Sequence, residues 1–173
     1  HWRFVGVSPA VRDYLLAQNC GFTEKNTTAI TNAFDFDAAD RERLSRNEAR
    51  ATLRLPSDKL VIGAAGRLVK VKGHIHLVRA FAQVHHRHPS SILAIMGEGK
   101  ERVALEEEIS RLGLIDRVRL LGFVPAAKKY TKAFDIWTMP SLSEGLGLAL
   151  LEGMSGGLPI IASDIPAMAP LIR

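Results

Sequence analysis

Four side chains in this sequence carry charge where charge is either costly or useful: Arg67, Lys72, Glu144 and Glu152. Glu144 and Glu152 bracket the run Glu144-Gly-Leu-Gly-Leu-Ala-Leu-Leu-Glu152, in which every intervening residue is glycine or apolar. A segment apolar on nearly every side reads as a helix buried in its domain. A carboxylate in such a helix is strongly destabilising unless paired or hydrogen-bonded, so Glu152 is expected to face a cleft, a partner or a ligand. An ionised carboxylate only accepts, and with several lone pairs it can receive two vicinal hydroxyls at once. Upstream, the apolar run from Asp135 to Met139 stops at Pro140, which cannot donate to a ladder, so a buried strand is expected to end there. The loop Ser141–Glu144 then leads through Gly145 and Gly147 into the helix, whose N-terminus offers backbone N–H groups to an anion such as phosphate. A plainer reading places Glu144 for the helix dipole and turns Glu152 to the surface.

These residues need a scaffold, and the chain supplies a regular one. Leu60–Ala65, Ser91–Met96, Val118–Leu121, Asp135–Met139 and Leu158–Ala162 are short apolar runs, separated by helical patterns over 73–88, 100–113, 125–134 and 147–156. Such alternation predicts an α/β fold, a Rossmann-like parallel sheet with helices on both faces. Ligands of open sheets bind at the carboxyl ends of the strands, near the switch in strand order. The first run is followed there by Gly66-Arg67-Leu-Val-Lys-Val-Lys72-Gly73, which by itself also reads as a basic surface loop. The second leads into Met96-Gly97-Glu98-Gly99, the start of a dinucleotide fingerprint. Arg102 stands where the third glycine belongs, and the loop follows the second strand, so NAD binding is not expected. The third leads into Gly122-Phe123-Val124.

Taken together these passages resemble the group-1, family-4 retaining glycosyltransferases of the GT-B fold. Glu144 and Glu152 match that family's E-x7-E motif, and Gly66 to Gly73 its GRL-x-x-x-KG. The resemblance implies that Glu144, with the loop Gly145, Leu146, Gly147 and Leu148, lies against the donor sugar and diphosphate. It implies that Glu152 holds the ribose hydroxyls and that Arg67 and Lys72 neutralise the diphosphate. Gly66, Gly97 and Gly99 would line the nucleotide cleft, and Phe123 and Val124 would bring backbone toward the base. Departure of a nucleoside diphosphate develops negative charge that fixed cations stabilise. Arginine offers a planar fork to phosphate oxygens and lysine a point charge. The implied donor is a UDP-, GDP- or ADP-sugar, with no metal and no cofactor, and the implied acceptor a saccharide or lipid-linked molecule in polysaccharide or lipopolysaccharide biosynthesis. The passage Val7-Ser8 to Asp37 resembles the family's crossing between domains, although Ala33 replaces its usual glycine. Residues 1–37 are then the tail of an N-terminal domain with its linker, and 38–173 an incomplete donor-binding domain, truncated at its C-terminal end, with most of the acceptor-binding domain outside the chain. Pro170 stands where the family often has a glutamate. A nucleotide-sugar epimerase of the same architecture and a non-catalytic nucleotide-sugar-binding module are the alternatives.

Composition sets outer limits. A length of 173 residues fits one domain with a piece of another. The single Cys20 excludes an internal disulfide and suits a reducing, cytoplasmic setting. No apolar run approaches the ~18 residues of a membrane span. The net charge of +5 is compatible with anionic ligands, and no nucleic-acid partner is expected. The cluster Lys128-Lys129-Tyr130 with Lys132 reads as a solvated face, with peripheral contact to an acidic membrane as its second reading. The sequon at Asn26 reads as coincidence. Ser8-Pro9 predicts a helix start between short strands at Arg3–Val7 and Thr27–Thr31. Residues 38–55 read as solvated surface helices. Asp35 and Asp37, alternating on a strand, could share a divalent cation, but sit in a linker. His74 and His76 lie on different helix faces, and His85 with His88 lacks a carboxylate or cysteine set, so no metal site is expected. Trp137 reads as core.

Overall fold

The computed structural model of the protein describes residues 2–18 and 20–172. Its centre is a five-stranded parallel sheet in the order β5-β4-β3-β6-β7. The strands are β3 (Leu60–Ala65), β4 (Ser91–Met96), β5 (Val118–Gly122), β6 (Ile136–Met139) and β7 (Ile160–Ala162). Ahead of them lie β1 (Phe4–Gly6), α1 (Pro9–Ala17), β2 (Thr27–Ala29), α2 (Phe36–Glu42) and α3 (Arg46–Thr52). Around the sheet run α4 (His74–Arg87), α5 (Arg102–Arg111), α6 (Leu148–Ser155) and α7 (Ala169–Ile172). The expected helix over 125–134 is a 3-10 helix, Ala127–Ala133.

Alternation along the strands builds two cores. Ile62 and Ala64 of β3 stand beside Leu93 and Ile95 of β4 in the same register, and point with them to the face covered by α4 and α5. Val61, Ala94, Met96 and Trp137 point to the other face, against Ala49 and Leu53 and the residues Ala133 and Phe134. All six residues of β4 are buried, as expected of a parallel strand covered on both sides.

From β3 the chain steps outward through β4 and β5, then returns past β3 to β6 and β7. The strand order therefore reverses between β3 and β6, and the loops leaving their carboxyl ends, 66–73 and 140–147, emerge side by side. Apart from this sheet, β1 and β2 pair in parallel on either side of α1. Ser8 accepts from the Val11 amide at the start of α1 with Pro9 at its first turn, as the sequence predicts.

Two expectations need correction. Asp35 does not lie on a strand with Asp37: it is the N-cap of α2, accepting from the Ala38 amide at 2.7 Å, and Asp37 sits in the helix's first turn. Nor is the 38–55 segment a uniformly solvated surface, since Ala39 and Ala49 are fully buried and Arg50 is 2% exposed. The Arg50 guanidinium donates to the carbonyls of Ala133, Pro56, Ser57 and Lys59 and to Asp135 Oδ2. Asp135 in turn accepts from the Val61 amide and pairs with Arg46 at 2.7 Å. Nearby cations and the Val61 amide hold the Asp135 carboxyl below its ordinary range against the opposing effect of burial. Arg50→Met leaves these acceptors and the half-buried Asp135 without their donor, and is expected to destabilise the fold by about 3–5 kcal/mol. Arg50→Lys should recover little, because one ammonium cannot reproduce the planar fork. Urea unfolding measures both; a loss below about 1 kcal/mol for Arg50→Met would show that water replaces the network.

Candidate functional site

The loops at the reversal of strand order are stitched together by backbone. The Gly66 amide donates to Met96 O at 2.9 Å, the Gly97 amide to Gly122 O at 2.7 Å, and the Leu68 amide to Glu98 O at 2.8 Å. Gly97 packs so closely on the Gly66 carbonyl that a Cβ would collide with it. Across the reversal, the Leu142 amide donates to Val71 O at 2.8 Å. Gly73, in the left-handed region with φ 66°, lies against the Pro140 carbonyl with no room for a side chain. Four strand ends thus form one continuous rim.

Within that rim is a cavity of about 280 Å³ lined by Gly66, Arg67, Gly97, Glu98, Phe123, Val124, Ala149 and Glu152, among others. Of the residues singled out from sequence, six therefore share it: Gly66, Arg67, Gly97, Phe123, Val124 and Glu152. Arg67 is exposed and, among the described residues, has no carboxylate within ion-pair distance. Phe123, 77% exposed, stands at the cavity mouth. Glu152 is half-buried on α6, and burial pushes its carboxyl above the ordinary range, opposed only by the charge of Lys128. No hydrogen bond from the described residues reaches its carboxylate. The surface-turned reading of Glu152 does not hold.

Lys72 and Glu144 lie beside this cavity rather than on its lining. Lys72 Nζ meets Glu144 Oε1 at 2.5 Å, and Ser141 Oγ donates to the same oxygen at 2.6 Å. Arg67 lines the cavity and Lys72 does not. Lys72 reaches under Gly66, with its Cδ 3.7 Å from where a Gly66 Cβ would stand, but its charge is matched by Glu144. Gly145 is tied elsewhere: its carbonyl accepts from Ser8 Oγ at 2.5 Å. Gly147 is the N-cap of α6, a position that no side chain caps. Leu146 is buried, whereas Leu148 is 46% exposed, so α6 is less uniformly enclosed than its composition suggests. Gly99 packs under the Leu68 carbonyl and does not line the cavity. Glu98, held by Arg102 at 2.7 Å, and Ala149 line it without having been singled out from sequence.

Other clusters resolve more simply. Lys128 and Lys129 both approach Glu42, at 3.3 and 3.8 Å, so part of the basic patch is paired within the fold. Among the described residues no group of three or more His, Cys, Asp or Glu converges as a metal site. None of the described helices is long and apolar enough to cross a membrane. Trp137 is fully buried and donates to Ala149 O at 2.8 Å, packing the start of α6 on β6.

Residues 45–173 match the family described as glycosyl transferases group 1. Over 71% of its length the chain is 39% identical to the lipopolysaccharide core biosynthesis glycosyltransferase LpsD of Rhizobium meliloti (strain 1021). Over 78% it is 31% identical to the putative glycosyltransferase EpsF of Bacillus subtilis (strain 168). The chain spans about a third of the length of these curated relatives, 35% of each. A crystal structure of Anabaena HepE in complex with UDP and glucose superimposes on 98% of the chain with a TM-score of 0.84 and 26% identity, the match covering 46% of HepE.

One buried polar group beside the cavity has no obvious structural task. His74, first residue of α4, is 4% exposed, and neither ring nitrogen completes a hydrogen bond of good geometry, although the Gly66 and Arg67 backbone lies near enough to favour the protonated ring. Burial outweighs that influence, and with a smaller push from Lys72 brings its pKa from 6.5 down to about 4. Unfolded chains therefore bind a proton at His74 before folded ones do as pH falls below 6.5, so the linkage penalty is absent at neutral pH and grows toward pH 4. It should reach about 3 kcal/mol at its limit. Urea unfolding of wild type is expected to lose stability between pH 6.5 and 4.5 more steeply than His74→Gln. Parallel pH profiles would show that the folded ring titrates normally.

Proposed function

We propose, from the premise that this chain belongs to the group 1 glycosyl transferases, that its cleft binds the nucleoside diphosphate part of an activated sugar. The observation that carries this reading is the shared cavity of Glu152 and Arg67: a desolvated carboxylate and an exposed guanidinium, the one without a hydrogen-bonding partner and the other without a counter-ion among the described residues, bordered by glycine backbone. A ribose offers Glu152 two vicinal hydroxyls, which replace the water it has lost. A diphosphate offers Arg67 a bidentate partner. Phe123 and Val124 at the mouth leave room for a base. The co-crystallised UDP and glucose of HepE support a nucleotide of this kind and a hexose donor.

In this reading the bond between the anomeric carbon and the phosphate oxygen breaks with charge developing on the diphosphate. Arg67, the α6 N-terminus and Lys72 stabilise that charge, so no metal is required. Lys72 reaches the phosphate by exchanging its contact with Glu144, and Glu144, still held by Ser141, turns toward the sugar. The chemistry is transfer with retention to a saccharide or lipid-linked acceptor, and the LpsD relationship favours an acceptor of the lipopolysaccharide type.

The test is calorimetric titration with UDP, GDP and ADP and with the matching nucleosides. Glu152→Gln is expected to weaken nucleotide and nucleoside alike by about 1.5–3 kcal/mol, the range of a charge-assisted hydrogen bond. Arg67→Ala and Lys72→Ala should weaken the diphosphates strongly and the nucleosides little, with chelators changing neither. Equal losses for both ligand classes in the arginine and lysine variants, or unchanged binding in a folded Glu152→Gln, would refute the assignment.

A further inference from the structure

His74 separates two spaces. On one side its Nε2 lies 3.7 Å from the position of a Gly66 Cβ, and Gly66 lines the 280 Å³ cleft. On the other it lines a cavity of about 540 Å³ between α4 and α5, with Val69, Ile75, Leu105 and Leu142. Buried polar rings normally have partners, because a donor removed from water loses the hydrogen bond that water gave it. The polar groups facing the ring from the 66–72 loop are the backbone of Gly66 and Arg67 and the ammonium of Lys72, and Lys72 is engaged by Glu144. A neutral imidazole has one N–H to give and one lone pair to fill. The Gly66–Arg67 carbonyls are therefore the acceptors within reach of a small movement.

That backbone is the base on which Arg67 stands. Its amide side is already fixed, through Gly66 N to Met96 O and Leu68 N to Glu98 O, and Arg67 O already accepts one bond from Val69 N at 2.9 Å, while the arginine side chain is exposed. We propose that His74 is a positioning residue for the diphosphate: as Arg67 closes on the phosphates, the Gly66–Arg67 turn shifts toward the imidazole, whose N–H then donates to a carbonyl of that turn and fixes the arginine's direction. The ring does not touch the ligand and acts through the peptide between Gly66 and Arg67. This rests on the reading of the cleft as a nucleoside diphosphate site.

Two measurements test it. In the wild-type protein, the ring nitrogen resonances of His74 should shift on saturation with UDP and stay in place with uridine, since only the diphosphate draws Arg67. Resonances unmoved by saturating UDP would overturn the proposal without any need for a variant. In parallel, His74→Leu is expected to bind UDP about tenfold more weakly, one hydrogen bond's worth, with uridine affinity unchanged. His74→Gln, whose amide nitrogen reaches where Nε2 stands, should recover most of the loss. A folded His74→Leu that binds UDP like wild type, or that loses UDP and uridine equally, would reject the positioning role while leaving the cleft assignment standing. Wild-type protein that fails to bind UDP, GDP or ADP would overturn both.

Discussion

The contact on which the rest of this site depends is made without a side chain: the Cα of Gly73 against the carbonyl of Pro140. It brings the loop leaving β3 and the loop leaving β6 to backbone distance, and the Leu142 amide then reaches Val71 O. Only at that separation can Lys72 and Glu144, 72 residues apart in sequence, share an ion pair. A residue with a Cβ at position 73 would have to push the loops apart, and the charges with them. The Gly97 contact on the Gly66 carbonyl does the same for the neighbouring strand. The cleft is therefore a product of sheet topology and missing methyl groups, with charged side chains added to a rim already closed.

Within the rim, charges are distributed unevenly. Glu144 accepts from both Lys72 and Ser141, whereas Glu152 is desolvated and, among the described residues, is countered only by the charge of Lys128. A satisfied carboxylate stabilises the loop that holds it; an unsatisfied one destabilises the fold until a donor arrives. The two acids are eight positions apart and have opposite electrostatic situations. The proposed function uses that contrast, with a ligand at Glu152 and an exchange of partners at Glu144.

Much of this was legible from the sequence, for identifiable reasons. Parallel strands buried on both faces must be apolar without interruption, so β3 and β4 could be read to the residue, and the glycine-bearing loops could be placed at their carboxyl ends. Edges blurred where other forces act: β7 is shorter than its apolar run, and the 125–134 segment winds as a 3-10 helix. Arg50 was hidden because its burial depends on carbonyls from segments that meet only in the fold, and α3 looks like any charged surface helix. Helical spacing correctly separated His74 from His76, one buried and the other exposed, but nothing in spacing says which face meets the Gly66 turn. The pairing of Lys72 with Glu144 was invisible for the same reason, since each was read against a ligand and neither against the other.

Ser8 looked like an ordinary helix cap, and its hydroxyl does accept from Val11. The same oxygen also donates to Gly145 O, and Val7 packs against the Gly145 Cα. One hydroxyl thus belongs at once to the first turn of α1 and to the peptide between Gly145 and Leu146, one residue past Glu144. The β1–α1–β2 unit is therefore joined to the loop that carries Glu144 by a direct bond that does not pass through the five-stranded sheet.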